Sequence, residues 1–257
     1  MMSVAEPVLI ERRANVMIIT LNRPEARNAV NRDVAIAISA AMDELDDSSE
    51  LRVGVLAANG PSFCAGLDLK GFATGDTGRV SPRGFAGLTA LPSRKPLIAA
   101  VEGPAMGGGF EVVLSCDLIV ISELARFALP EVTRGLTAAA GGLFRLPARF
   151  PYYRAMELAL TGRPMNASEA FELGLANRLV APGEALKVAL ELALVVAASG
   201  PLALEATKHV IASSGAWPSD QAFELQEQVS APVRSSLDAK EGALAFVEKR
   251  APHWTGK

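Results

Sequence analysis

Two segments of the chain carry the residue types from which a reaction could be built. GPSFCAGLDL (residues 60–69) follows the apolar run LRVGVLA, and EGPAMGGGFEVVLSCD (residues 102–117) follows LIAAV. In each, a buried strand runs into a glycine turn and then into the start of a helix. Such a turn leaves backbone N–H groups unpaired and aimed outward, which is what an anion or oxyanion site requires. The run Gly107, Gly108, Gly109 permits a close backbone approach. Two carboxylates follow: Glu111 in the first turn of the expected helix, and Glu131 after Pro130 in ARFALPEVTRGL. Taken singly, each has an ordinary reading. A glutamate in a first helical turn is a dipole partner or cap, and one following proline is an exposed residue at a turn.

Other nucleophiles and ligands are scarce. There are two cysteines, Cys64 and Cys116, and two histidines, His209 and His253. Cys64 reads as a small core residue, Cys116 with Asp117 as the cap that opens the next strand, His209 as a helix-face residue and His253 as part of a polar tail. This composition excludes a disulfide-rich scaffold and a multi-thiolate metal cluster. Neither CxxC nor HExxH occurs, no GxSxG turn carries a hydrolase serine, and no GxxxxGK[ST] forms a phosphate loop. No metal site is expected.

The elements that position these residues alternate. Residues 8–10 and 16–21 read as strands about a turn at Ala14 and Asn15. Residues 28–49 read as a helix with Val34, Ile38, Met42 and Leu45 on one face. Residues 51–57, 97–101 and 118–121 are further strands. Their near-continuous hydrophobicity predicts cover on both faces, hence an α/β arrangement. The glycine-rich stretch 71–87 reads as a mobile surface loop. Beyond Pro151 the pattern becomes helical, over 152–161, 167–173, 183–198 and 201–213. That last third is expected to be a helical cap or an oligomerisation layer.

Of the 257 residues, 50% are hydrophobic, 21% charged and 5% aromatic, with a net charge of −3. Such a chain buries a sizeable core and is not disordered. It lacks the basic excess and the stacking surface that nucleic acid needs. The start MMSVAEPVLIERR has no apolar stretch behind a basic end, so a signal peptide is not expected, and no apolar run spans a bilayer. The resulting expectation is a soluble cytoplasmic protein with free thiols.

In combination, FCAGLDL, PAMGGGFE and FALPEVTRGL resemble the crotonase (enoyl-CoA hydratase/isomerase) superfamily. The resemblance runs from LNRPEARNAV (residues 21–30) through LTGRPMNASEAFELGLANRLV (160–180) to GALAFVEKRAPHW (242–254). Within it, GFAGLT, FALPE and AFVEKR look most like the carnitinyl-CoA dehydratase branch. The resemblance implies a spiral of ββα units over residues 1–195 and a C-terminal helical trimerisation region over 196–257. It implies a homotrimer or dimer of trimers, a coenzyme A thioester substrate and no separate cofactor. The thioester oxygen would lie between the amides of Leu67 and Gly108. Glu131 would exchange the proton at the α-carbon while Glu111 holds the water that attacks the β-carbon. Substrate contacts are implied for Ala26, Arg27, Ala65, Asp68, Leu69, Gly107 and Lys249, with Arg27 and Lys249 as candidate partners of the CoA phosphates.

Some positions depart from the common pattern. The stretch after Gly135 is LTAAAGG, so Ala138, Ala139 and Ala140 make an apolar wall where many hydratases have a proline and a small polar residue. Glu102 stands where an asparagine is common. Neither removes a catalytic group, but walls set the acyl specificity. The expected activity is reversible addition of water to a 2-enoyl-CoA by a hydro-lyase. The alternatives are a carnitinyl-CoA dehydratase-like reaction and Δ3,Δ2-enoyl-CoA isomerisation, which needs one carboxylate and leaves Glu111 without a role. Decarboxylation, thioester hydrolysis and an RNA-binding relative complete the range, the last disfavoured by the charge.

Overall fold

The structure, a computed structural model, describes residues 6–257, so the first five residues of the N-terminal leader expectation lie outside it. The chain opens with the hairpin β1 (Val8–Arg13) and β2 (Val16–Leu21), then α1 (Arg32–Asp47), β3 (Val53–Ala58) and the short α2 (Leu69–Phe72). A small hairpin, β4 (Arg79–Val80) and β5 (Gly84–Phe85), precedes β6 (Leu97–Val101), β7 (Pro104–Met106) and α3 (Gly108–Leu114). Next come β8 (Leu118–Ser122), β9 (Arg126–Ala128), α4 (Gly142–Arg145), α5 (Tyr152–Thr161), β10 (Met165–Asn166), α6 (Ala167–Glu172) and β11 (Arg178–Val180). Four helices close the chain: α7 (Ala185–Ala197), α8 (Pro201–Ser213), α9 (Ala222–Arg234) and α10 (Leu237–Glu248).

The large sheet has the order β1-β2-β3-β6-β8-β11 and the small one β10-β9-β7. Only β1 and β2 are antiparallel in the large sheet; the other pairings are parallel. Successive strands alternate between the sheets: β6 and β8 lie in the large one, β7 and β9 in the small one. This is the repeated ββα winding that the resemblance implied.

Period-two alternation accounts for the double cover. Met17, Ile19, Leu56, Leu97, Ala99 and Ile121 face the main core under α1 and α3. Ile18, Val53, Val55, Ile98, Ala100 and Val120 face the opposite side, where they meet Ala185, Ala189, Ala193 and Ala197 of α7. Alanine at every fourth position gives a flat stripe that lets the helix lie close on the sheet. The expected division after residue 195 thus falls two residues before the end of a helix that packs on the sheet.

Three expectations are corrected. The first helix begins at Arg32, because Arg27 and Asn28 take left-handed conformations and Asn31 caps the helix through Val34 N–H. Buried Asn28 instead ties this turn to the next one, donating to the carbonyls of Asn59 and Ser62. The stretch 71–87 is no open loop. Its hairpin is anchored by buried Arg83, which donates to Asp43 and Asp46 at 2.7 and 3.1 Å, and Phe85 is 4% exposed. The sequence reading also stopped short of α9 and α10, whose large apolar residues are mostly exposed.

No single helix among the described residues is long and apolar enough to cross a membrane. α7 and the helical stretch that follows it, jointly apolar enough, are bent by 108°.

Candidate active site

The first wall of the site is the loop leaving β3. Cys64 N–H donates to Pro104 carbonyl at 3.1 Å and Met106 N–H returns to Cys64 carbonyl at 2.9 Å, which stitches this loop to β7. Cys64 is fully buried, and burial pushes its thiol up to about 12, so it is a packing residue. Val30 N–H donates to Gly66 carbonyl and Asp68 N–H to Val30 carbonyl, making a single parallel bridge at Leu67. In a parallel bridge the groups of residues 66 and 68 turn toward the partner, so the N–H of Leu67 turns away from it. That N–H has no acceptor among the described residues.

Asp68 holds the loop in this register. Its Oδ1 accepts from Lys70 and Gly71 N–H at 3.1 and 3.4 Å and caps α2, while its Oδ2 accepts from Arg23 at 3.0 Å. Burial opposes the charge on Asp68, but Arg23 and the two amides overcome it and keep the carboxyl below the usual carboxylate range. This carboxylate is committed to the protein.

The second wall is the turn between β7 and α3. Gly107 N–H donates to Ala128 carbonyl at 2.8 Å, and Gly107 carbonyl accepts from Phe110 and Glu111 N–H. The N–H of Gly108, at the helix start, is left without an acceptor among the described residues. The two walls touch: a Cβ on Gly66, whose φ is +92°, would lie 2.8 Å from Met106 carbonyl oxygen and 3.1 Å from Gly108 N. A Cβ on Gly109 would lie 2.2 Å from Cys64 carbonyl oxygen. Only glycine allows this approach, so two unpaired amides from different turns share one region.

The carboxylates complete the site. Glu111, 3% exposed, is held by Ala140 N–H and Gly142 N–H, which both donate to its Oε1 at 2.7 and 2.8 Å. Its pKa is raised by burial, against the pull of those two amides and of the Arg79 and Arg145 charges. Glu131 stands on a turn of 3-10 helix, Pro130–Arg134, and its buried Oε2 has no partner among the described residues. Its pKa is raised too, first by burial and then by the Glu111 charge. Gly107 adjoins this group: a Cβ there would stand 3.0 Å from Glu131 Oε1. Glu111 and Glu131 therefore both stand beside the amide turn, the first held by two amides and the second with one oxygen unpartnered among the described residues.

Sequence reasoning missed the supports. Arg79 donates to Ala139 carbonyl at 2.8 Å, and Arg145 donates to Thr89 and Ala140 carbonyls at 2.7 and 3.2 Å. Together they fix the loop whose amides hold Glu111. A solitary arginine has no local signature that marks such a role. The remaining sequence candidates scatter. Arg27 carbonyl accepts from Ala65 N–H at 3.0 Å, placing Ala26, Arg27 and Ala65 beside the first wall, with Leu69 exposed at the start of α2. Lys249 is the exposed left-handed cap of α10. Glu102 accepts from Gly183 N–H, while its Oε2 is buried without a partner. His209 and His253 are exposed.

Residues 11–257 match the family model described as enoyl-CoA hydratase/isomerase. The crystal structure of enoyl-CoA hydratase EchA1 from Mycobacterium marinum superposes with a TM-score of 0.96 at 52% identity, covering 98% of this chain and 100% of that one. The enoyl-CoA hydratase EchA19 of Mycobacterium tuberculosis is 40% identical over 97% of this chain and 96% of its own. The carnitinyl-CoA dehydratase of Proteus mirabilis is 40% identical over 95% of this chain and 97% of its own.

Proposed function

From the premise that the chain belongs to the enoyl-CoA hydratase/isomerase family, we propose that it is an enoyl-CoA hydratase, adding water reversibly across the 2,3 double bond of a 2-enoyl-CoA. The observation that carries this is the pair of carboxyls, Glu111 buried and Glu131 half-buried, both with raised pKa values, beside two acceptor-free amides. An isomerase needs one proton carrier, whereas water addition needs a group for the water and a group for the α-carbon.

The thioester oxygen accepts from Leu67 and Gly108 N–H. Conjugation then makes the β-carbon electrophilic. Glu111, as carboxylate, takes a proton from water as its oxygen bonds to the β-carbon, and the displaced electrons pass to the thioester oxygen as an enolate. Glu131, as carboxylic acid, donates its proton to the α-carbon and the carbonyl reforms. The net transfer from Glu131 to Glu111 is reset by exchange with solvent before the next turnover. Mutual repulsion and burial favour one shared proton on the pair, so the two titrate together. Two preorganised donors on the oxyanion account for several kcal/mol, about 3 kcal/mol for each.

The reaction draws on no separate cofactor in this reading. Arg27 and Lys249 remain the candidate partners of the CoA phosphates, Lys249 as a contribution from a neighbouring subunit. Ala26, Ala65, Asp68, Leu69 and Gly107 supply contacts along the thioester, the Asp68 side chain meanwhile capping its loop. The division into a core over residues 1–195 and a helical region over 196–257 belongs to the same proposal, as does a cytoplasmic homotrimer or dimer of trimers. Exposed Ile211, Phe223, Phe246 and Val247 on the C-terminal helices support an oligomer. The discriminating experiment follows purified protein with crotonyl-CoA and with a 3-enoyl-CoA. Loss of the conjugated thioester absorbance with water addition is expected. Double-bond migration without hydration would replace this reading by the isomerase.

A further inference from the structure

Beside Glu131 opens a cavity of about 410 Å³, large enough for a ligand and closed on its inner side by Leu129, Ala138, Leu146 and Ala155, all buried. We propose that this cavity is the acyl-chain site and that it selects apolar, medium-length 2-enoyl groups over both a crotonyl group and one bearing a quaternary ammonium. The inference rests on the hydratase reading, since it takes Glu131 to stand at the α-carbon.

Position comes first. Glu131 is itself part of the cavity wall, so a chain whose α-carbon meets its carboxyl has its tail directed into this space. Chemistry comes second. Apart from Glu131, only Thr137 and Tyr152 bring polar side-chain atoms to the lining. A trimethylammonium group is held by a cage of aromatic faces or by a dedicated carboxylate. The sole aromatic residue of the lining, Tyr152, is 61% exposed, and the sole carboxylate is engaged at the reacting carbon. A quaternary ammonium would lose its water there without compensation.

Size comes third. At roughly 30 Å³ per methylene, about the volume a water takes in the liquid, the cavity of about 410 Å³ has room for the whole of a decenoyl tail beyond the double bond, far more than the single methyl of a crotonyl group fills. The cavity exists because small residues stand where larger ones would fill it. Ala138, from the apolar AAAGG wall, and Ala155 and Ala159, one turn apart on α5, leave the space between Leu129 and Leu160.

The test compares kcat/KM for crotonyl-CoA, trans-2-decenoyl-CoA and carnitinyl-CoA with the full chain. Each buried methylene is worth about fourfold, and part of the rim is open, so decenoyl-CoA is expected to exceed crotonyl-CoA by at least ~10-fold. Carnitinyl-CoA is expected to fall below crotonyl-CoA. In Ala159→Trp the decenoyl-to-crotonyl ratio is expected to fall at least ~10-fold, since the indole occupies the cavity. Equal use of the two enoyl chains, preference for carnitinyl-CoA, or an unchanged ratio in the variant would each overturn the proposal. Calorimetric binding of decanoyl-CoA against acetyl-CoA separates this inference from the hydratase reading. If nothing is hydrated but decanoyl-CoA binds at least ~10-fold tighter, the cavity assignment stands and the reaction assignment fails. If the two bind alike, the cavity assignment fails whatever the reaction.

Discussion

The ring of Phe85 occupies the place where a side chain on Gly108 would be. A Cβ on Gly108 would lie 2.5 Å from Phe85 Cε1 and 2.7 Å from Cζ, and Phe85 is buried. Gly108 does not have a positive φ, so its need for glycine comes from this neighbour and not from its own backbone. A residue read as part of a loose loop thus packs directly on an oxyanion donor.

Gly108→Ala is expected to lower kcat/KM by ~100-fold or more, in the range seen when one oxyanion donor is lost. Phe85→Leu alone should cost less, and the double variant should recover part of the loss because the smaller side chain frees the space. Steady-state kinetics on the three proteins check the coupling. A double variant no better than Gly108→Ala would refute the steric relationship.

Glu131→Gln should retain the fold and lose at least ~100-fold in hydration, since an amide cannot deliver a proton to the α-carbon. Circular dichroism and the rate of crotonyl-CoA hydration measure the two sides. Retention of most of the activity would remove Glu131 from the reaction.

Glu111→Gln keeps an Oε1 able to accept from Ala140 and Gly142 N–H, so the loop should stay in place. Hydration should fall ~100-fold, while exchange of the α-proton of a saturated acyl-CoA with deuterated solvent should survive better than in Glu131→Gln. NMR of the exchanged position reads this directly, and identical exchange losses in the two variants would argue against separate roles.

The raised pKa values of Glu111 and Glu131 set a sign for pH effects. Each native carboxyl binds its proton more tightly than the unfolded one. The protein therefore keeps its full contribution below the ordinary glutamate value and loses stability as pH rises from there through the raised native value. Glu111→Gln, free of that ionisation, should gain on wild type across the same interval in thermal melts. The acid limb of kcat/KM should lie above ~4.3, the ordinary glutamate value. A stability difference that is flat with pH would contradict the burial penalty.

Arg83→Met leaves the Asp46 carboxylate without its buried cation. Burial opposes the Asp46 charge, but the Ser93 hydroxyl, Arg83 and the Arg94 amide hold its pKa below the usual range. Breaking a buried pair on one side costs about 3–5 kcal/mol. Urea denaturation should show that loss. Hydration should fall as well, because the hairpin anchored by Arg83 carries Phe85. A loss of stability with full activity would detach the hairpin from the site.

The strands, the central helix faces and the residues of the site were readable because they depend on local rules. Near-continuous apolar runs mark β2, β3, β6 and β8, spacings of three and four mark α1, and glycine turns after two strands mark where outward amides stand, which the family resemblance then assigned to Leu67 and Gly108. The order of FCAGLDL, PAMGGGFE and FALPE pointed to Glu111 and Glu131 against their ordinary readings. What the chain order could not express is proximity across it. That Arg79, Arg83 and Phe85 brace the site from a stretch resembling a loose loop, and Arg145 from α4, depends on contacts with residues up to sixty positions away. The cavity beside Glu131 is likewise a relation among alanines of two segments and the leucines around them, and an alanine in a sequence does not say whether a neighbour fills the space it leaves. Periodicity reports which face of an element is buried; only packing decides what that face meets.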